Sequence, residues 1–336
     1  MIAWQRMLWL GAPLSLALVI ALAASIGEMQ VPLAITFKVM LNGAGLGSYE
    51  IDALQQGVIR DYRLSRAMAA AACGAGLALC GAVLQALLRN ALAEPYVLGI
   101  SAGASTGAVL VMLLGVGGGA LGLPLGAFLG GALAFALVLL LAGGRAGGAQ
   151  VILAGVAGSQ LFNAMTAWVV STTANAEQAR SVMFWLLGSL GGVRWPDVYL
   201  LMAVVGIGWL LFLACARILD AFVFGEDAAA SLGVPVVAVR VALFSLTALI
   251  TATLVSVVGA IGFVGLVVPH MSRFMVGPSH RSLLWATGLL GAHFMVLADV
   301  VSRVIVPGQV LPIGVVTALA GAPAFAVILY RRRRTV

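Results

Sequence analysis

Apolar runs of membrane-spanning length recur along the whole chain, and the polar positions between them fall into short clusters. Residues 8–26 form the first run. Residues 27–61 read as a longer polar loop carrying Glu28, Glu50, Asp52, Arg60 and Asp61. Arg63 and Arg66 open the second run, which ends near residue 88. A tight loop at 89–95 leads to the third span, 96–114, and 121–141 gives the fourth. A glycine-rich turn at 143–148, holding Arg145, precedes the fifth span, 151–170. The connection 171–197 is longer, and 177–190 within it reads as a partly inserted helix. Spans six and seven are 198–215 and 236–259. The eighth segment, 262–274, is short and contains Pro269 and His270. The ninth is 284–301 and the tenth 314–330. A crossing helix takes about 20 residues, so the eighth segment is expected to be broken or tilted. The pattern predicts an all-α polytopic membrane protein of about ten transmembrane helices, organised as a single transmembrane domain over 1–336. No small-residue cleavage site follows the first run, which is read as a retained span.

One polar stretch between spans has its own signature. In Phe224-Gly225-Glu226-Asp227-Ala228-Ala229-Ala230-Ser231-Leu232-Gly233-Val234-Pro235, two acids stand where a helix dipole favours negative charge. Three alanines follow, the best helix formers. Gly233 suits a left-handed helix end, and Pro235 is a stop. The stretch predicts a rigid, capped helix at about 225–233, outside the membrane, joining spans six and seven.

Composition fixes the class. Of 336 residues, 62% are hydrophobic and 9% charged, against about 25% charged in soluble domains. With so much apolar surface, a soluble fold is excluded. The 42 glycines suit close packing of membrane helices, where lipid gives no hydrophobic push. Cys73, Cys80 and Cys215 lie inside apolar runs and read as small core residues. The chain has 18 basic residues, of which only Lys38 is a lysine. Lys38 follows no Gly-x-x-x-x-Gly pattern, so no phosphate-cradling P-loop is present. If ATP drives this protein, another subunit binds the ATP and its magnesium, and no cofactor is expected on this chain.

Loop charge gives the orientation. Arg6, Arg89, Arg145, Arg217, Arg240, Arg273, Arg281 and the tail 331–334 fall on one side; Lys38, Arg60, Arg63, Arg66, Arg180, Arg194 and Arg303 fall on the other. The excess predicts cytoplasmic termini. The outward arginines suit an anionic ligand or an acidic partner, or they pair locally with nearby acids. Gln85, Asn163, His293 and Asp299 lie within apolar runs, where an ionisable group is a functional candidate. Asp299 and Arg303 are four residues apart and can pair on one helix face. His293 reads as a hydrogen-bonded packing residue. His270, His280 and His293 form no metal-ligand spacing and no nucleophile–base motif is visible, so neither a metal site nor a membrane enzyme is expected. One membrane carboxylate and Glu94 give thin support for an ion-coupled carrier.

Several motifs together resemble one family. They are Tyr62-Arg63-Leu64-Ser65-Arg66, Gly81-Ala82-Val83-Leu84-Gln85, Arg89-Asn90-Ala91-Leu92-Ala93-Glu94-Pro95, Leu98-Gly99-Ile100-Ser101-Ala102-Gly103-Ala104, the run from Gly259 to His270, Leu297-Ala298-Asp299-Val300-Val301-Ser302-Arg303, and Leu311-Pro312-Ile313-Gly314 with Gly321-Ala322-Pro323. In this order they resemble the permease subunit of ABC importers for ferric siderophores, haem and cobalamin. Ser65 and Ala91 stand where that family often has proline, and Gln309 where glutamate is common.

The resemblance implies a homodimer in the bacterial inner membrane, with the pathway on the dimer axis, two ATPase subunits below and a periplasmic substrate-binding protein above. No nucleic-acid partner is implied; lipid surrounds the chain. Gly225, Glu226, Asp227, Ala228, Ser231, Leu232 and Gly233 match the family's coupling helix, which seats in the ATPase. Arg63, Arg66 and Arg303 match positions that dock the binding protein. Asn90, Ala91 and Leu92, with Gly147, Gly148 and Ala149, match the cytoplasmic gate. Arg180, Met183 and Phe184, beside Trp185, would line the substrate pathway, with Arg194 nearby. An apolar vestibule of this kind suits a large planar ligand, so haem is expected first, with ferric siderophore and cobalamin as alternatives.

Overall fold

A computed structural model describes residues 2–27, 29, 31–117, 122–143 and 148–333. Every regular element among them is helical. Helix α1 is Ile2–Ser25, α2 Leu33–Gly43, α3 Ala53–Gly57 and α4 Ser65–Leu87. A 3-10 turn at Pro95–Leu98 leads into α5, Ile100–Leu114. There follow α6 (Leu123–Ala142), α7 (Gly148–Thr173), α8 (Ala176–Leu186), α9 (Trp195–Ala214), α10 (Ala216–Val223) and α11 (Glu226–Ser231). The chain ends with α12 (Val236–Val258), α13 (Val264–Val276), α14 (His280–Val304) and α15 (Ile313–Arg333).

Helix α4 is the hub. Every residue of it except Met68 is buried, and it packs against α9, α12, α13 and α14. Its alanines and glycines make this possible, because small side chains let backbones touch. A Cβ on Gly74 would lie 2.0 Å from the Gly291 carbonyl of α14, and one on Gly81 would lie 1.9 Å from the Gly265 carbonyl of α13. Helices α5 and α6 meet in the same way, through Gly103 and Gly107 against Gly126 and Gly130.

Among the described residues, six helices are long and apolar enough to cross a membrane. The expected ten spans are reached only by adding α1, α5, α13 and α15, which are shorter or partly polar. Helix α13 has 13 residues and is preceded by Phe263, whose backbone is left-handed (φ 69°). Where the non-helical backbone before it begins, the turn at 187–189 joins the end of α12 to the start of α15. Ser189 N–H donates to the Val258 carbonyl at 2.8 Å, and the N–H groups of Ile313 and Gly314 donate to Gly188 and Leu187, each at 3.0 Å. Irregular backbone persists among spans only when its polar groups are satisfied inside the protein.

Two parts of the sequence reading need correction. Residues 27–61 are not a loop: they contain α2 and α3, and α3 continues through a π-helical turn, Val58–Leu64, into α4. The continuous helix is Ala53–Leu87, 35 residues. Asp52 starts it by accepting the Gln55 N–H, so a charge read as a loop signal is a helix cap. Helix α10 was not anticipated. It turns Ala216, Leu219 and Phe222 inward and keeps Arg217 and Asp220 on its polar side, too short a pattern to separate from the end of the preceding span.

Candidate functional site

At one end of the bundle, three arginines meet. Arg66 Nε donates to Asp299 Oδ1 at 2.5 Å, its Nη2 to Ser302 Oγ and its Nη1 to Tyr62. Arg303 Nη2 lies 3.1 Å from the other carboxylate oxygen, Asp299 Oδ2, a charge contact not aligned as a hydrogen bond. Arg303 also donates to the carbonyls of Ala23 and Ile26, at 3.0 and 2.7 Å. Arg63 donates to the carbonyls of Ala24, Ser25 and Met29. The last carbonyls of α1 have no partner in their own helix, and cations suit that end of the dipole. Arg63 and Arg303 therefore cap α1 from two directions. The reading of Arg63, Arg66 and Arg303 as a docking surface finds no exposed cation here: they are 3%, 2% and 7% exposed. The local pairing left open in the sequence is what the geometry contains, and it adds Arg66 to the Asp299–Arg303 pair.

A second feature lies between α5, α7 and α8. Thr106 of α5 donates to the Phe162 carbonyl of α7 and bonds Thr166, both at 2.8 Å. Asn175 and Gln178 start α8 with reciprocal side-chain caps, and α8 buries Val182 against Val109 and Val169. These contacts wall a cavity of about 980 Å³. Its polar lining is Tyr96, Ser101, Ser105, Ser159, Asn163, Thr166 and Arg180, and Met183 adds a thioether. The expected pathway residues Arg180 and Met183 thus come together here. Phe184 does not line the cavity and is exposed, while Trp185 packs with Ala104, Ala127 and Val255. Tyr96 follows Glu94, which lies in the connection after α4 and accepts the Phe263 N–H. Burial pushes the Glu94 carboxyl above its usual range, and that hydrogen bond opposes the shift.

The opposite end of the bundle carries the expected coupling helix. It forms as α11, one residue shorter at the start and two shorter at the end than the sequence suggested. Gly225 (φ 112°) and Gly233 (φ 82°) bracket it in conformations that residues with a side chain rarely adopt. Glu226 pairs with Arg240 of α12 at 2.6 Å, so this acid is spent inside the chain. Ala229 is buried and Leu232 is 74% exposed. The two expected gate segments adjoin: a Cβ on Gly148 would lie 3.0 Å from the Leu88 carbonyl, two residues before Asn90. Asn90 Oδ1 accepts the Leu92 N–H, Leu92 is exposed and Ala149 is exposed, while Ala91 borders a second cavity. Gly147 and Arg145 lie outside the described residues.

Residues 15–331 match the FecCD transport family. The chain belongs to that family. Among FecCD relatives, the ABC transporter permease protein YvrB of Bacillus subtilis is 38% identical over 95% of this chain and 92% of its own length. The cobalamin import system permease BtuC of Halobacterium salinarum is 40% identical over 82% of this chain and 74% of its own. The vitamin B12 import system permease BtuC of Escherichia coli O9:H4 is 39% identical over 81% and 83%. A solved chain of an inward-facing metal-chelate type ABC transporter superposes with a TM-score of 0.85 at 32% identity, covering 97% of this chain and 99% of that one. This FecCD protein accordingly has the polytopic membrane fold of an ABC transporter permease.

Proposed function

We propose that this chain is the membrane subunit of an ATP-driven importer that carries cobalamin or a ferric chelate inward, as a pair of copies with two separate ATPase subunits. The cavity between α5, α7 and α8 is the observation that carries the substrate reading. Its lining offers hydroxyls, one amide and one guanidinium, and no carboxylate among the described residues. That donor-rich, acid-free wall suits a ligand bearing amides, carboxylates or phosphate, and cavities of about 300–1,000 Å³ are the usual size for small-molecule sites.

The order of candidates drawn from the sequence is reversed. Haem was favoured because Met183, Phe184 and Trp185 looked like an apolar wall for a planar ligand. Phe184 is not part of the cavity lining, where Met183 stands without it, and Trp185 is engaged in packing, so the aromatic part of that wall is missing. Cobalamin and metal chelates are what the relatives' names support, and they move ahead of haem.

In this reading α10 and α11 face the cytoplasm, both termini lie on that side, and α11 seats in the ATPase. The Leu232 side chain supplies an exposed apolar contact, and the Glu226–Arg240 pair holds α11 against α12. A periplasmic binding protein docks at the far end on exposed cations such as Lys38 and Arg60, since Arg63, Arg66 and Arg303 are already committed within the chain. The test is ATP hydrolysis by the reconstituted complex. Stimulation by a cobalamin-loaded or ferric-chelate-loaded binding protein supports the reading; hydrolysis that no loaded binding protein alters contradicts it.

A further inference from the structure

A cavity of about 1030 Å³ lies at the end of the bundle that carries α10 and α11. The last turn of α13, the first turn of α14 and the loop after α4 wall it. Arg89, Arg273, His270 and His280 line it, and no carboxylate does. Arg273 is half-buried. Its Nη1 donates to Gln85 Oε1 at 2.6 Å, and it forms no ion pair among the described residues. A guanidinium carries five donors, and a neutral amide leaves its charge uncompensated, which is costly away from water. His280 is 2% exposed. Its Nδ1 is 2.7 Å from Asp220 Oδ1, and its Nε2 is buried with no partner among the described residues. Buried polar atoms are seldom left unpaired. Arg89 reaches the same place from the other side, its guanidinium lying over the backbone of Gly225.

We propose that this cavity binds the phosphate of an anionic membrane lipid. The phosphate supplies the counter-ion that Arg273 lacks and accepts hydrogen bonds from the fork of Arg89 and from the Nε2–H of His280, whose ring is then held between Asp220 and the phosphate. The rim decides between a lipid and a soluble anion. Met271 and Phe274 border the cavity and are 46% and 78% exposed. Acyl chains would cover them, whereas inorganic phosphate would leave them bare. The inference needs only the multi-pass fold, and stands apart from which substrate is carried.

The test uses the purified full chain, stripped of lipid and then titrated with phosphatidylglycerol or phosphatidylcholine, with bound lipid counted by native mass spectrometry. Both lipids carry a phosphodiester, but the trimethylammonium of phosphatidylcholine would face Arg89 and Arg273, and a like charge there costs at least as much as a charge-assisted hydrogen bond, so phosphatidylglycerol is expected to be retained about tenfold better than phosphatidylcholine. Arg273→Gln should remove that preference. Arg89→Gln, at an exposed side chain with no hydrogen bond to lose among the described residues, should do so without touching the fold, and Arg217→Gln on α10 should leave it intact. Equal retention of the two lipids, or a preference that survives both Arg273→Gln and Arg89→Gln, overturns the proposal. So does displacement of bound phosphatidylglycerol by equimolar inorganic phosphate, which would identify a soluble-anion site. Loss of the lipid on assembly of the ATPase also overturns it, because the cavity would then belong to that interface.

Discussion

Arg66 and Asp299 stand 233 residues apart in the chain and meet at 2.5 Å, both almost wholly buried. Arg66 opens α4 and Asp299 lies near the end of α14, the two helices whose glycines bring their backbones together at Gly74 and Gly291. The ion pair thus fixes the register of the central helix pair at one end. Removing one partner of a buried pair strands a charge and costs about 3–5 kcal/mol. Asp299→Asn strands two, Arg66 and Arg303. Thermal unfolding in detergent should show a large drop in Tm for Asp299→Asn and a smaller one for the double substitution Arg66→Met with Asp299→Leu. Equal losses would mean that the pair has no special role.

The same geometry separates structure from docking. Charge reversal at Arg63 or Arg66 should lower folding yield, because each leaves carbonyls or a carboxylate unpaired inside the bundle. Arg60→Glu, at an exposed side chain, should weaken binding-protein docking while Tm is unchanged. Surface plasmon resonance on the folded fraction distinguishes them, and normal docking by Arg60→Glu would remove that residue from the interface.

Close helix contact makes a second stability prediction. Gly81→Val places side-chain atoms where the Gly265 carbonyl lies and must push α13 from α4; overpacking costs about 1–3 kcal/mol, occasionally more. Gly192→Ala, with open space around it, should be neutral. Size-exclusion profiles and Tm of the two variants make the comparison.

At the coupling end, Leu232→Asp should release the ATPase subunit without altering Tm, since Leu232 is exposed. Arg240→Gln breaks the link from α12 to Glu226. With Glu226 partly exposed the stability change should be about 1 kcal/mol or less, and the larger effect should be on the ratio of substrate moved to ATP hydrolysed. Co-purification and coupled assays check both, and a fully coupled Arg240→Gln protein would argue that α11 acts without that tie.

In the cavity, Asn163→Trp fills space on the α7 wall. Uptake should fall about tenfold or more, a loss of roughly 1.4 kcal/mol in effective binding, while ATP hydrolysis persists. Phe184→Ala should have little effect, because that ring is outside the lining.

Much of this was legible in sequence for identifiable reasons. Apolar runs report spans directly, and the capped helix at 225–233 was readable because acids, alanines, Gly233 and Pro235 act locally. The i,i+4 pair of Asp299 with Arg303 was readable for the same reason. Arg66 joining that pair was not, since nothing local ties α4 to α14. Charge sign grouped Arg63, Arg66 and Arg303 on one side but said nothing of depth; the α1 carbonyls that hold Arg63 and Arg303 become visible only when helices pack. Met183 and Phe184 are neighbours in sequence, yet a helix turns successive side chains apart by about 100°, so one faces the cavity and the other does not. The Arg273–Gln85 contact depends on a helix crossing that no spacing encodes.

Uptake into proteoliposomes is the most direct test of the whole account. The purified chain is reconstituted with the ATPase and binding protein of its genomic neighbourhood, and cyanocobalamin, a ferric siderophore and haem are offered separately with and without ATP. The account predicts ATP-dependent accumulation of cobalamin or the ferric chelate, and none by the chain alone. Accumulation by the chain alone under an ion gradient, or ATP-driven uptake of haem only, would contradict it.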